Sequence, residues 1–232
     1  MTSTEFHAWS PEHFAALGLT AFIAGVMIAA ARMRRLRTTR IMELGLAVIL
    51  VAQWPASYWM NLSAGTLTVD NSYPCHLCDF AAMCGVVALL THRRFFVELV
   101  YFWGLAGTLQ GLVTPALTDN WPHPRFLLFF VTHSGVVIAA LYGVTGLRVA
   151  PRPAAKWIAW MLLVPFAAVV GTFDWLVGAN YGFLCRKPDT ASLYDFLGPW
   201  PWYVGASSLV GLVFFLLLDL PFMAQRRSNA PR

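Results

Sequence analysis

The stretch Glu12-His-Phe-Ala-Ala-Leu-Gly-Leu-Thr-Ala-Phe-Ile-Ala-Gly-Val-Met-Ile-Ala-Ala-Ala31 runs straight into Arg32-Met-Arg-Arg-Leu-Arg-Thr-Thr-Arg40. About 20 apolar residues in a helix cover the hydrocarbon core of a bilayer, at about 1.5 Å per residue. Acidic residues, Glu5 and Glu12, lie before the run and arginines after it. That order is the reverse of a signal peptide, which begins basic and ends at small residues for cleavage, so the run reads as a retained anchor.

Working outward, six further apolar runs of similar length are bounded by charged or turn-forming breaks. The seven expected spans are 12–31, 41–60, 75–91, 95–116, 125–147, 157–177 and 201–222. The composition agrees: 58% of the 232 residues are apolar and 12% charged, against about 25% charged in a soluble domain. The chain therefore reads as all-α and polytopic, a single seven-helix transmembrane domain over 1–232. With the N-terminus outside and the C-terminus inside, 13 of the 16 basic residues fall in cytoplasmic segments, as the positive-inside rule requires. These are Arg32 to Arg40, Arg93, Arg94, Arg148, Arg152, Lys156, Arg226, Arg227 and Arg232. The net charge of +5 is thus a topology signal and implies no nucleic-acid partner. Trp54, Trp59, Trp121, Trp175, Trp200 and Trp202 mark the outer interface. Gly104, Gly107 and Gly111 form a small-residue stripe suited to helix packing. Pro55 and Pro165 are expected to kink the second and sixth spans.

A polar side chain in a bilayer needs a reason. Gln53, Asn61, His76, Cys78, Asp79, Gln110, Thr114, His123, Arg125, His133, Asp174, Asn180 and Asp195 all map to outer halves or outer loops, with Glu98 as the exception, so a cavity is expected at the outer leaflet. Pro74 suits a first helical turn. Cys78 then lies about one turn into the third span, where the positive end of the helix dipole favours the nucleophilic thiolate. His76, two residues away, points to the other side of a helix. His133 stands among apolar neighbours two turns into the fifth span, and Cys78 and His133 form the expected nucleophile and base. His76 and Asp79 share a face and orient one another or hold a headgroup, although helix capping accounts equally for Asp79. Gln110 and Thr114 suit an oxyanion or a helix bridge. Arg125, Arg186 and Lys187 are the outer cations, suited to a phosphate or to snorkelling.

Cys75 and Cys78 form a C-x-x-C, and Cys75 and Cys185 both map to the oxidising side. Either Cys75 pairs with Cys185 and staples the outer loop, or Cys75 and Cys78 are a redox dithiol. No cluster offers the ligands of a metal site, and no cofactor motif, P-loop, G-x-S-x-G or H-E-x-x-H is present.

The segments Cys75-His-Leu-Cys78-Asp79, Tyr101 to Gln110, Pro122-His123, His133, Gly178 to Leu184, Lys187-Pro188 and Ser192 to Tyr203 resemble the YwaF-like family of bacterial integral membrane proteins. That family looks distantly related to a eukaryotic transmembrane acyltransferase that remodels ether phospholipids with a cysteine and a histidine. The resemblance implies Cys78 as nucleophile and His133 as general base. It implies a supporting set of His76, Asp79, Gln110, His123, Arg125, Asn180, Tyr181 and Asp195, with membrane lipids as substrate. It also implies a multi-pass protein of the bacterial plasma membrane with its site facing outward. Family members often have an apolar residue in place of Cys75, which favours the Cys75–Cys185 staple. The expected activity is transfer or cleavage of phospholipid acyl chains without a cofactor. A quinone-linked thiol oxidoreductase using the C-x-x-C, and a transporter or ligand-binding membrane protein, remain as alternatives.

Overall fold

A computed structural model describes residues 5–115, 117–188 and 192–228; Ala116, at the expected end of the fourth span, and Arg232 lie outside them. Seven helices are long and apolar enough to cross a membrane. They are α1 (Pro11–Arg32), α2 (Leu36–Ser63), α3 (Val69–Thr91), α4 (Arg94–Val113), α5 (Pro124–Gly146), α6 (Ala155–Val177) and α7 (Trp202–Ser228). No strand occurs among the described residues.

Local chemistry sets the helix boundaries. Ser10 caps α1 by accepting the His13 N–H, with Pro11 in the first turn, where a missing N–H costs nothing. α2 begins at Leu36, five residues before the expected apolar boundary, because backbone hydrogen bonding continues through Arg37 and Arg40. α3 is interrupted: one turn at Val69–Ser72 is followed by Tyr73 to His76, and the main helix opens at Leu77. Pro74 therefore precedes the helix. Cys78 occupies its second position, not the end of its first turn. α6 breaks at Leu162, between Ala155–Met161 and Leu163–Val177. Pro165 accounts for this break, since its ring clashes with the carbonyl four residues back and it supplies no N–H.

Lipid supplies no hydrophobic force between helices, so close approach of small residues does the packing. A methyl group at Gly135 would meet Leu50 at 2.8 Å, at Gly143 Val97 at 2.7 Å, and at Gly104 Val136 at 3.0 Å. These glycines bring α2, α4 and α5 together, and most of the buried core lies there and on α3. Two π-helical turns, Gly104–Thr108 and Tyr142–Gly146, interrupt α4 and α5.

The helices α6 and α7 lie at the periphery, tied to α4 at the arginine-rich end. Trp103 donates to the Ala159 carbonyl (3.0 Å), Tyr101 to that of Leu218 (2.9 Å), and the Phe102 and Phe215 rings meet at 5.3 Å. Buried charge is concentrated at this end. Asp219 is fully buried and accepts from Lys156 (2.7 Å) and Arg226 (2.8 Å). Glu98 is bound by the Arg152 guanidinium through both carboxylate oxygens. Glu43 accepts from His92 (2.8 Å), Arg40 (3.1 Å) and the Tyr142 hydroxyl (2.5 Å). The expectation that buried polarity gathers at one end is thereby corrected: Glu43, Lys156 and Asp219 join Glu98 at the other. Their neighbouring arginines masked them in the sequence as loop charges.

Replacing Asp219 by Ala leaves Lys156 buried without its counter-ion. Thermal or denaturant unfolding in detergent is expected to show a loss of about 3–5 kcal/mol. Replacing Lys156 and Asp219 together by Met and Leu restores most of it; equal losses in both variants would contradict the pairing.

Candidate functional site

The opening of the main part of α3 at Leu77, the end of α4 and the middle of α5 meet along the glycine stripe of α4. A methyl group at Gly107 would lie 3.9 Å from the Leu77 side chain. One turn on, a methyl at Gly111 would lie 3.0 Å from His133 Cδ2 and 3.3 Å from its Nε2. The stripe thus packs helices and also makes the room that an imidazole needs. Leu77, the residue before Cys78, and His133 both pack against this stripe, one turn of α4 apart.

The protonation of His133 follows from its partners. Nδ1 lies 2.8 Å from the Phe129 carbonyl. A carbonyl only accepts, so Nδ1 carries the proton and Nε2 presents a lone pair. The ring stacks on Phe129 at 4.0 Å, and Nε2 has no hydrogen bond among the described residues. His13, fully buried in α1, shows the contrast: Nδ1 accepts from the Trp9 N–H (2.9 Å) and Nε2–H donates to the Leu112 carbonyl (2.7 Å). His13 is a satisfied structural histidine, while His133 keeps one basic nitrogen free.

Cys78 is half-buried and a free thiol. The Leu77 and Cys78 N–H groups are the first of the helix and have no intrahelical acceptor. Asp79 accepts the His76 N–H at 2.9 Å, closing this helix end as a cap. Its carboxylate also lies beside the Gln53 side chain, whose Oε1 is 3.1 Å from the Thr132 hydroxyl next to His133. His76 does not take part with Cys78. Its Nδ1 accepts from the Gly182 N–H (3.3 Å), and its ring meets Tyr181 edge-on at 4.9 Å. Gln110 is exposed on α4 with its amide unpartnered among the described residues, and Thr114 donates back to the Gln110 carbonyl at 3.0 Å.

The remaining expected residues build the loops above this seam. Tyr181 is fully buried; its hydroxyl accepts the Tyr73 N–H (2.9 Å) and donates to the Val69 carbonyl. Burial pushes that phenol up to about 12, so it stays a donor. Asn180 clamps its own loop, accepting the Cys185 and Arg186 N–H groups and donating to the Arg186 carbonyl. His123 caps α5 by accepting the Arg125 N–H. Arg125 donates to Thr66 (2.9 Å) and lies 3.6 Å from Asp119. Asp195 is exposed and caps a short turn at Ser192. Arg186 pairs with Asp70 at 3.2 Å, and Lys187 lies over the Tyr203 ring at 5.8 Å.

Cys75 packs with Phe166, Phe173 and Leu184 around Val170, Ala179 and Tyr181. Cys75 and Cys185 are free thiols, and burial raises the Cys185 thiol above its usual range. Asp174 is 1% exposed, and both carboxylate oxygens lack a hydrogen-bond partner among the described side chains and backbone. Gln53 and Thr132 had no place in the sequence-based dyad. Gln53 stood out as an amide in a span, whereas Thr132 carries no signal that distinguishes it from other hydroxyls in helices. All six tryptophans expected at an interface, Trp54, Trp59, Trp121, Trp175, Trp200 and Trp202, are exposed. A cavity of about 490 Å³ between α6 and α7 is lined by Gly171, Trp175, Leu184, Cys185 and Val204, with Trp200 at its rim.

The sequence model of the TMEM164 family matches residues 8–219. An uncharacterized protein of Treponema pallidum (strain Nichols) is 28% identical over 118 residues, 51% of this chain and 49% of that protein. The chain thus spans about half the length of the curated relative that it matches. No solved structure matches it.

Tyr181→Phe removes the hydroxyl that joins Tyr73 to Val69 and leaves a donor and an acceptor unsatisfied. A stability loss of about 1–3 kcal/mol is expected, with faster amide exchange over residues 69–76 and unchanged exchange in α5. Equal protection of 69–76 in both proteins would show that this bond does not hold the α3 interruption.

Proposed function

The chain belongs to the TMEM164 family, and we propose that it is a membrane-embedded lipid acyltransferase or ester hydrolase with Cys78 as nucleophile and His133 as general base. One observation carries this reading. His133 is held by Nδ1–H and by the floor at Gly111, with an unpartnered basic Nε2 at the seam that the Cys78 turn also borders.

In the proposed reaction the Cys78 S–H proton passes to His133 Nε2, and the sulfur attacks the ester carbonyl of a phospholipid acyl chain. The Leu77 and Cys78 N–H groups, with the Gln110 amide, are the donors for the oxyanion. The C–O bond breaks, and the leaving alkoxide takes the proton from the imidazolium. The thioester is then attacked by the hydroxyl of a second lipid or by water, whose proton goes to Nε2 and returns to sulfur as the thiolate leaves. The Phe129 carbonyl keeps Nδ1 protonated and so maintains the base in the productive tautomer.

The pocket between α6 and α7, mostly apolar and lined in part by Trp200, suits an acyl chain. The loop residues Asn180, Tyr181, His76 and Asp195 support the seam and make no contact with the ester. His123 and Arg125 close the loop at α5. In this reading residues 1–232 form one domain of a bacterial plasma membrane protein, N-terminus outside, with the site toward the extracytoplasmic face. A Cys75–Cys185 disulfide would staple the loop over the seam.

Purified wild type, Cys78→Ala and His133→Ala are to be compared on phospholipid with a labelled acyl chain. Both variants are expected to lose at least about 100-fold in turnover. A hydroxylamine-sensitive acyl label should form on the wild type and be absent from Cys78→Ala. Wild-type turnover by Cys78→Ala would remove the nucleophile assignment. Saturable lipid binding without turnover, unaffected by Cys78→Ala, would make the protein a carrier.

A second expectation concerns the floor. Gly111→Ala places a methyl within 3.0 Å of the His133 ring and should lower turnover by about 10-fold or more through a displaced base, while Gly18→Ala, whose Cβ meets nothing within 4 Å, should have no effect.

A further inference from the structure

Five helices end in a residue with left-handed backbone, the conformation that closes a helix C-terminus and that glycine adopts without strain. At the end of the bundle that carries Cys78 and His133 those residues are glycines: Gly65 after α2 (φ 66°) and Gly178 after α6 (φ 74°). At the opposite end they are basic in every case: Arg34 after α1 (φ 53°), His92 after α3 (φ 53°) and Arg148 after α5 (φ 58°). Trp9 and Phe183, the other non-glycine residues with positive φ among those described, do not follow a spanning helix.

The caps themselves are ordinary. Arg34 N–H bonds to the Ala31 carbonyl and Arg35 N–H to that of Ala30, the paired closure in which glycine is usual. His92 N–H bonds to Ala88, and Val149 N–H to Gly143. Backbone geometry thus favours glycine at all three positions, and each side chain is retained against that preference.

For His92 the structure shows the use, since its ring donates to buried Glu43 at 2.8 Å. Arg34 and Arg148 have no such use. Both are exposed and without an ion-pair partner among the described residues. They follow helix ends that are joined: Arg32 donates to the Thr145 carbonyl at 2.8 Å, linking the end of α1 to the end of α5. Met33 and Leu36, beside Arg34, are 66% and 80% exposed. Two free guanidiniums at adjacent helix ends, bordered by apolar side chains at the edge of the spanning region, match an anionic headgroup above acyl chains.

We propose that Arg34 and Arg148 form a binding site for an anionic phospholipid of the leaflet at the arginine-rich end, separate from the Cys78–His133 seam. Helix-dipole compensation alone, or a topology signal alone, requires basic residues near these ends but no lipid selectivity.

The full-length protein in dodecylmaltoside is titrated with dioleoylphosphatidylglycerol, with dioleoylphosphatidylcholine at equal mole fraction, or with inorganic phosphate, and Tm is recorded. Phosphatidylglycerol is expected to raise the wild-type Tm by about 5 °C more than phosphatidylcholine. The Arg34→Gly/Arg148→Gly variant should melt at or above wild type without lipid, because glycine relieves the backbone, yet lose most of the phosphatidylglycerol gain. Arg34→Lys/Arg148→Lys should keep the larger part of it. An undiminished gain in the glycine variant, no wild-type preference for phosphatidylglycerol, or an equal gain from inorganic phosphate would each overturn the proposal.

Discussion

The close approach of α4 and α5 at glycine is the constraint on which the rest depends. In water a helix pair is driven together by burying apolar surface, but in a bilayer the lipid competes equally for that surface and contact must come from dispersion at short range. Gly104 beneath Val136, Gly143 beneath Val97 and Gly135 beneath Leu50 provide that range. The same stripe continues to Gly111, where the neighbour is the imidazole of His133 and no longer an aliphatic side chain. Helix packing and placement of the candidate base are therefore one arrangement.

The two ends of the bundle solve different electrostatic problems. At the arginine-rich end, carboxylates on spanning helices are neutralised by basic residues of nearby turns and helix ends, as in Glu98 with Arg152 and Asp219 with Lys156 and Arg226. Asp219 thereby ties α7 to α6, and Glu98 ties α4 to the turn that leads into α6. At the other end polarity is met by hydrogen bonds within and between loops, with Tyr181, Asn180 and His76 each occupied by backbone groups. Among the described residues, the polar atoms left without a partner there include His133 Nε2, the Gln110 amide and both Asp174 carboxylate oxygens, capacity that a purely structural network would have used.

Much was legible because bilayers impose coarse rules. Span number and approximate boundaries followed from apolar length, the break in α6 from Pro165, and the exposure of the tryptophans at helix ends from interfacial chemistry. His133 stood out as a lone imidazole among Phe and Leu. Other inferences reached their limit where hydrogen bonding depends on distant chain. Asn180 and His123 carry polar side chains in the connections between helices, as substrate ligands would, but their partners are nearby backbone groups. His13 sits in an apolar run as His133 does, and only the carbonyl of Leu112, 99 residues away, separates the two.

The sequence by itself determined seven helices and the segregation of basic residues, because hydrophobic length and charge are local properties that a bilayer reads directly. Tertiary structure alone decided which polar groups are satisfied. It opened the main part of α3 at Leu77, with Cys78 in second position, and turned His76 toward Gly182. It also set Gly111 beneath His133 and revealed that the left-handed helix caps among the described residues are glycines at one end and Arg or His at the other. Each of these depends on which backbone lies opposite, and that is set by packing between helices distant in the chain.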